Sequence, residues 1–262
     1  MIYAGCDLGI VSAKAVIIEN GDILAFQILP YKNLPRQAAV EVMDKALANA
    51  GLDMQQVKRC FATGFGQEAV PYAQRVVADT FCLAKAVNKS SPAVRTIIDV
   101  GGHSLKCFNV NREGKVVAEA ITDRCTAGTG KFIEIIANAL ELPLDELIEA
   151  SCGSKNPVPI TNTCVIFAES DVISYVSEGK ERHDIFAGLA SSVAARIAGI
   201  VRRISVDREV ALTGGVAKNR IVVRDLEEEL GLKFADLDGV DPQILGAFGA
   251  ALLAEEGGYP SR

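Results

Sequence analysis

Asp7-Leu8-Gly9 with Lys14, and Asp99-Val100-Gly101 with Lys106, are two copies of one pattern in which the lysine stands seven places after the aspartate. No other feature of the chain constrains its fold as tightly, because each copy carries its own local structure. The apolar runs Ile2 to Cys6 and Val94 to Ile98 read as strands closed by the aspartate. Ala15 to Glu19 and Cys107 to Val110 read as second strands, each entered through the glycine turn. A duplicated strand-turn-strand unit predicts two related halves. Glycine turns bring backbone N–H groups close to phosphate, and a carboxylate at a strand end can hold Mg²⁺ directly or through water. Facing each other, the hairpins predict a clamp on a nucleoside triphosphate. Taken singly, each Asp-x-Gly is also ordinary turn chemistry.

The chain has 262 residues, enough for two ordinary domains. A hydrophobic share of 49% with 23 glycines suits a well-buried α/β protein rather than a disordered one. Net charge is −6 and no Lys/Arg run is long enough to follow a phosphate backbone, so nucleic acid is not an expected partner. The first strand begins at once, without a basic segment, apolar core and cleavage site, and no run of 18 apolar residues occurs. The expectation is a cytoplasmic protein with no membrane partner. Seven cysteines (Cys6, Cys60, Cys82, Cys107, Cys125, Cys152 and Cys164) contain no CxxC pair, which argues against a disulfide framework.

Along the first half, Asn20-Gly21 turns the chain into a strand over 22–29. A helix over 35–50 ends at Gly51, and a strand over 57–62 runs into Thr63-Gly64-Phe65-Gly66. A helical stretch over 81–88 leads to Ser90-Ser91-Pro92, where the domain boundary is placed: 1–92 and 93–262. After the second hairpin come a turn at Arg112-Glu113-Gly114, a strand over 116–121 and helices over 131–141, 144–150, 169–178 and 185–204. A strand over 209–212, a helix over 217–230 and a last helix near 242–257, expected to pack back on the first domain, complete the pattern.

A third glycine turn, Leu212-Thr213-Gly214-Gly215-Val216, precedes the helix predicted over 217–230 and would offer backbone amides and a helix N-terminus to a nucleoside, with Lys218 or Asn219 in reach. The trio of turns resembles the phosphate-1, phosphate-2 and adenosine motifs of the superfamily of sugar kinases, heat-shock chaperones and actin. That resemblance implies an α/β protein of two ribonuclease H-like domains with ATP or ADP and Mg²⁺ in the cleft between them. It assigns Asp7 and Asp99 to Mg²⁺ and the attacking water. Gly9, Ile10, Val11, Ser12, Ala13 and Lys14, with Gly101, Gly102 and Lys106, would surround the phosphates. Gly214, Gly215 and Val216 would hold adenosine, with Asn219 and Gln243 beside them.

The cysteines divide into two kinds. Cys6, Cys60 and Cys107 fall in apolar strands and Cys82 in an apolar helix, as core residues do. Cys125 and Cys164 each precede a predicted helix, a setting that stabilises thiolates, although two plain loop cysteines would look the same. The words around them, Asp123-Arg124-Cys125-Thr126-Ala127-Gly128-Thr129-Gly130 and Thr163-Cys164-Val165-Ile166-Phe167-Ala168-Glu169-Ser170, resemble the activators of 2-hydroxyacyl-CoA dehydratases and the ATPase subunits of benzoyl-CoA reductase. By that resemblance the two thiolates of each chain meet their counterparts across a two-fold axis to hold one [4Fe-4S] cluster. The implied assembly is a homodimer or a heterodimer with a related subunit. Cys152 has no place in the family pattern and reads as structural.

The sequence departs from the activators in the turn Gly9-Ile10-Val11-Ser12, where they usually carry Gly-Ser-Thr, and at His103-Ser104 after the glycine pair Gly101-Gly102, where they usually carry Gln-Asp. His103 is either a structural histidine or an orienter of the hydrolytic water. The implied activity is ATP-driven transfer of single electrons, received from ferredoxin or flavodoxin, to an acyl-CoA dehydratase or reductase. The alternative is a small metabolic kinase of the same superfamily that phosphorylates an alcohol with Asp99 as base and contains no iron.

Overall fold

The computed structural model describes residues 1–31, 34–117, 129–160 and 164–258 in full, and 118–123 as backbone. The first hairpin is β1 (Ile2–Leu8) and β2 (Ser12–Glu19), and the second is β6 (Thr96–Val100) and β7 (Leu105–Val110). Their registers coincide: Asp7 lies opposite Lys14 and Leu8 opposite Ala13, while Asp99 lies opposite Lys106 and Val100 opposite Leu105. The seven-residue spacing is thus the signature of an antiparallel pair closed by a four-residue turn, which puts each aspartate and its lysine side by side.

Around β1 the sheet grows by β3 (Asp22–Pro30), antiparallel to β2, and by β4 (Val57–Thr63) and β5 (Arg75–Val76), which run parallel to β1, in the order β3-β2-β1-β4-β5. The second sheet repeats the arrangement as β8-β7-β6-β9, with β8 (Val116–Asp123) antiparallel to β7 and β9 (Val210–Thr213) parallel to β6. Both sheets have ribonuclease H-like topology, and the fold is that of actin and the sugar kinases. The second sheet has no counterpart of β5 among the described residues.

The helices are α1 (Pro35–Ala50), α2 (Asp79–Ser90), α3 (Gly130–Ala139), α4 (Leu144–Ser151), α5 (Val165–Ser177), α6 (Arg182–Val201), α7 (Arg220–Leu230) and α8 (Leu245–Glu256). Helix α1 covers one face of the first sheet, and α3 to α7 build a core on the second. Helices α2 and α8 lie between the sheets, packed on each other and sharing one core with residues of both. Helix α6 has the length and apolarity of a membrane span, but Ile185, Phe186, Leu189, Val193 and Ile197 are buried in the second core.

Several boundaries differ from the sequence expectation. Helix α5 starts at Val165 rather than 169, its first turn Val165-Ile166-Phe167-Ala168 being apolar all round and so without a helical period, and α6 starts at Arg182 rather than 185, because Arg182, His183 and Asp184 open it with a polar turn. Gly215–Lys218 forms a short 3₁₀ turn instead of opening the helix expected from 217; Asn219 then caps α7, its side chain accepting from Ile221 N and Val222 N at 3.2 and 3.3 Å. The stretch before α8 is a turn in which Asp241 Oδ1 accepts from Gln243 N, so the last helix begins at Leu245.

Small residues allow α8 its close approach. A Cβ on Gly249 would lie 1.8 Å from the carbonyl oxygen of Cys82, and one on Gly5 would lie 2.0 Å from that of Ala247. Backbone on both sides cannot retreat without separating α8 from α2. Gly249→Ala is therefore expected to cost about 3 kcal/mol or more in denaturant unfolding, and an unchanged midpoint would show that the two helices are free to part.

Candidate functional site

Both hairpin turns close in the same way, Gly9 N donating to Ser12 O at 3.1 Å and Gly101 N to Ser104 O at 2.9 Å. The turns face each other across a cleft of 960 Å³ between the sheets, large enough for a nucleotide. Asp7, Gly9, Ile10, Val11, Ser12 and Lys14 line it from the first hairpin, and Asp99, Gly101, Gly102, His103 and Lys106 from the second. Gly214, Gly215, Val216, Asn219 and Gln243 line it from the C-terminal part of the chain. One expected member is absent: Ala13 is paired with Leu8, fully buried and part of the first sheet's core, so it does not reach the cleft.

The two copies differ in how their charges are used. Lys14 Nζ stands 3.1 Å from Asp7 Oδ2, an ion pair within the hairpin. Lys106 instead forms its ion pair with Asp79, on the first turn of α2. Asp99 accepts a hydrogen bond from Thr213 Oγ1 at 2.8 Å. Burial pushes the Asp99 carboxyl above the usual range, against the opposing pull of Lys106 and the Thr213 hydrogen bond. Burial works to lower Lys106, but Asp99 and Asp79 outweigh it and hold the ammonium above its ordinary value.

The end of the cleft lined by Gly214, Gly215 and Val216 is built on backbone. Gly214 has φ +87°, and a Cβ there would fall 2.4 Å from Val100 O and 3.1 Å from Asp99 Oδ1, so only glycine fits beside the carboxylate. Asn219 is 5% exposed; its Oδ1 is occupied in capping α7, while its buried Nδ2 has no partner. A buried donor left open against the cleft fits an acceptor atom of a bound nucleoside. Gln243 Nε2 reaches Ser12 Oγ at 3.5 Å and lies against Gly215, linking the first hairpin turn to the Gly214-Gly215 turn. Ile133 and Ile148 add apolar lining.

Two features of the cleft were missed in the sequence. Thr63-Gly64 at the end of β4 repeats Thr213-Gly214 at the end of β9: Thr63 lies beside Asp7 as Thr213 lies beside Asp99, and Gly64 has φ +90°. The recurring Thr-Gly after an apolar strand was the available signal. Asp79 carried no signal, since a lone aspartate opening a helix is commonplace.

Oxygen donors at Asp7 and Asp99 suit Mg²⁺, which takes one or two carboxylates and completes its shell with water and phosphate oxygen. Among the described residues no group of three or more His, Cys, Asp or Glu side chains gathers for a metal. Cys125 lies outside the described residues. Cys164 is exposed at the N-cap of α5, whereas burial pushes the thiols of Cys6, Cys82 and Cys107 up to about 12 and that of Cys60 well above its ordinary value. Those four are core thiols. Cys152, at the end of α4, is exposed and donates to Ile148 O at 3.2 Å.

A continuous path joins the second hairpin turn to Cys164. Gly130 N donates to Gly101 O at 3.0 Å, Lys131 N to Gly102 O at 2.9 Å and Thr129 Oγ1 to Gly102 O at 3.1 Å, so the start of α3 is fastened to the turn. Helix α3 packs on α5, which leads with Cys164 and leaves Ile166, Phe167 and Ile173 bare.

A family model described as the BadF/BadG/BcrA/BcrD ATPase family matches residues 4–254. The activator of lactoyl-CoA dehydratase from Anaerotignum propionicum is 38% identical over 260 residues, covering 98% of this chain and 98% of that protein. The 2-hydroxyisocaproyl-CoA dehydratase activator of Clostridioides difficile is 37% identical over 255 residues, covering 97% and 95%. The solved structure of the activator of the 2-hydroxyisocaproyl-CoA dehydratase from Clostridium difficile with bound ADPNP superposes with a TM-score of 0.92 at 36% identity, covering 98% of this chain and 95% of that one.

Proposed function

The chain belongs to the BadF/BadG/BcrA/BcrD ATPase family, and from that premise we propose that it is an ATP-hydrolysing activator that passes single electrons to a 2-hydroxyacyl-CoA dehydratase or a benzoyl-CoA-reductase-like partner. The observation that carries this reading is Cys164: a bare thiol at a helix N-terminus, flanked by bare Ile166 and Phe167, in a chain whose strand and core-helix cysteines are all buried. In this reading Cys164 and Cys125 are two of the four thiolates of a [4Fe-4S] cluster shared by two chains, and the exposed apolar face of α5 lies at the contact between them. The second chain is a copy of this one or a related subunit, the electron donor is ferredoxin or flavodoxin, and the assembly is cytoplasmic. Such a cluster supplies one-electron chemistry whose potential follows burial, hydrogen bonding and net charge.

Gly9 to Ser12 and Lys14 take one side of the phosphates, and Gly101, Gly102 and Lys106 the other. Gly214, Gly215, Val216, Asn219 and Gln243 take the nucleoside. Asp7 and Asp99 hold Mg²⁺, and His103 orients the attacking water from the second turn. The division into domains 1–92 and 93–262 fits the two sheets, with α8 packed against β1. Hydrolysis or exchange at the second turn alters the anchorage of α3, and α3 carries the change to α5 and Cys164, which couples nucleotide state to the exposure of the thiolates.

The relatives are activators over nearly their whole length, which favours this reading over a metabolic kinase. The test is purification without oxygen. Brown protein with iron and sulfide, hydrolysing ATP and supporting a dehydratase in the presence of a low-potential donor, is the expected result. Colourless protein that phosphorylates an alcohol would sink it.

A further inference from the structure

We propose that Asp79 is a positioning residue of the nucleotide site: by taking Lys106 into its own ion pair, it keeps the Asp99 carboxylate available to the metal that accompanies the nucleotide. The inference rests on the Mg²⁺ role of Asp99 proposed above.

The reason lies in the duplication. The common register sets each lysine opposite its own aspartate, and in the first hairpin the two make contact, Lys14 with Asp7. The same geometry offers Lys106 to Asp99. An ammonium seated on that carboxylate would compete with a divalent cation for one of its oxygens and offset its charge, as Lys14 does at Asp7 Oδ2. In the second copy the pair does not form. Lys106 is held by Asp79 instead, leaving Asp99 with only the hydroxyl of Thr213 as a hydrogen-bond partner among the described residues. A neutral hydroxyl orients one carboxylate oxygen without cancelling its charge.

Asp79 is well placed for this task. It stands on the first turn of α2, the helix packed against α8 between the two sheets, and its side chain lines the cleft. The anchor of Lys106 is thus outside the hairpin, on an element to which both sheets pack. The two aspartates thereby become unequal. Asp7 is paired with Lys14 beside the Gly9 turn, while Asp99 faces the cleft as the less compensated carboxylate.

Removing the Asp79 charge should return Lys106 to Asp99. The experiment measures ADP binding by calorimetry across a range of Mg²⁺ concentrations, with thermal unfolding as a check on folding. Asp79→Asn should raise the Mg²⁺ concentration needed for half of the metal-dependent gain in ADP binding by about 10- to 100-fold, the usual effect of losing a group that orients a metal ligand. Adding Lys106→Gln to Asp79→Asn should bring that midpoint back, because the competing ammonium is gone. Lys106→Gln alone should leave the midpoint at or below the parental value, a result that stands whether or not Asp79→Asn folds. An unchanged midpoint in Asp79→Asn overturns the proposal. A raised midpoint that persists in the double variant overturns it too, since Asp79 would then act on the metal's waters directly. If ADP binding by the unaltered protein ignores Mg²⁺, the metal role of Asp99 fails and takes this inference with it.

Discussion

Cys164→Ser is expected to yield a folded, nucleotide-binding protein with no cluster. The hydroxyl that replaces the thiol is a poor iron ligand, and each chain contributes only two sulfurs in the proposed arrangement, so losing one from each chain halves the ligand set. Iron and sulfide should fall to background after anaerobic purification, and electron delivery to the partner should vanish. ADP binding should persist, because Cys164 is not among the residues lining the cleft. Cys60→Ser separates this effect from a general need for cysteine: Cys60 is fully buried in the first sheet's core, so its replacement should lower stability and leave iron content alone. Retention of full iron by Cys164→Ser would show that the cluster is held elsewhere.

Asp99→Asn should abolish steady-state ATP hydrolysis while making the ligand-free protein more stable. Loss of a charged group that organises the reacting phosphate commonly costs about 100-fold or more, and single-turnover measurements with Mg·ATP would reveal it. The stability effect has the opposite sign. Burial raises the Asp99 carboxyl above its unfolded value, so its contribution to stability is complete below the ordinary carboxylate range and is lost as pH rises through the raised value. An amide does not ionise, and its oxygen still accepts from Thr213. In thermal unfolding the variant should therefore exceed the parent near neutrality, and the gap should close towards acid pH. A variant less stable than its parent at neutral pH would mean that the charge is compensated better than its surroundings indicate.

Much of the architecture was legible because it is local. The hairpin strands, the turn at Asn20-Gly21, and helix α1 with Gly51 at its end follow from apolar period, turn chemistry and capping within a few residues of one another. The segregation of cysteines was legible for the same reason: Cys6, Cys60 and Cys107 fall within apolar strands, and burial accounts for them. Boundaries failed where a cap outweighed periodicity, as at Asn219, whose side chain stops the 3₁₀ turn and starts α7, and at Asp241, whose turn delays α8. Ala13 stands apart from its neighbours because the turn and the strand that follows it share one motif in the sequence. In the fold the strand has already entered the core at that residue.

By itself the sequence determined the duplicated site. The interval between Asp7 and Lys14, repeated between Asp99 and Lys106, can form a tight antiparallel hairpin in only one register, since turn length and side-chain alternation together leave no freedom to slip. Only the tertiary structure decided which charges meet. Lys106 has an aspartate opposite it in its own hairpin and another on a distant helix, and the choice falls to Asp79 because α2 is packed between the sheets at that height. The Thr-Gly echo beside each aspartate and the path from Gly102 through α3 to α5 arise in the same way. They join residues far apart in the chain, and packing chose their partners.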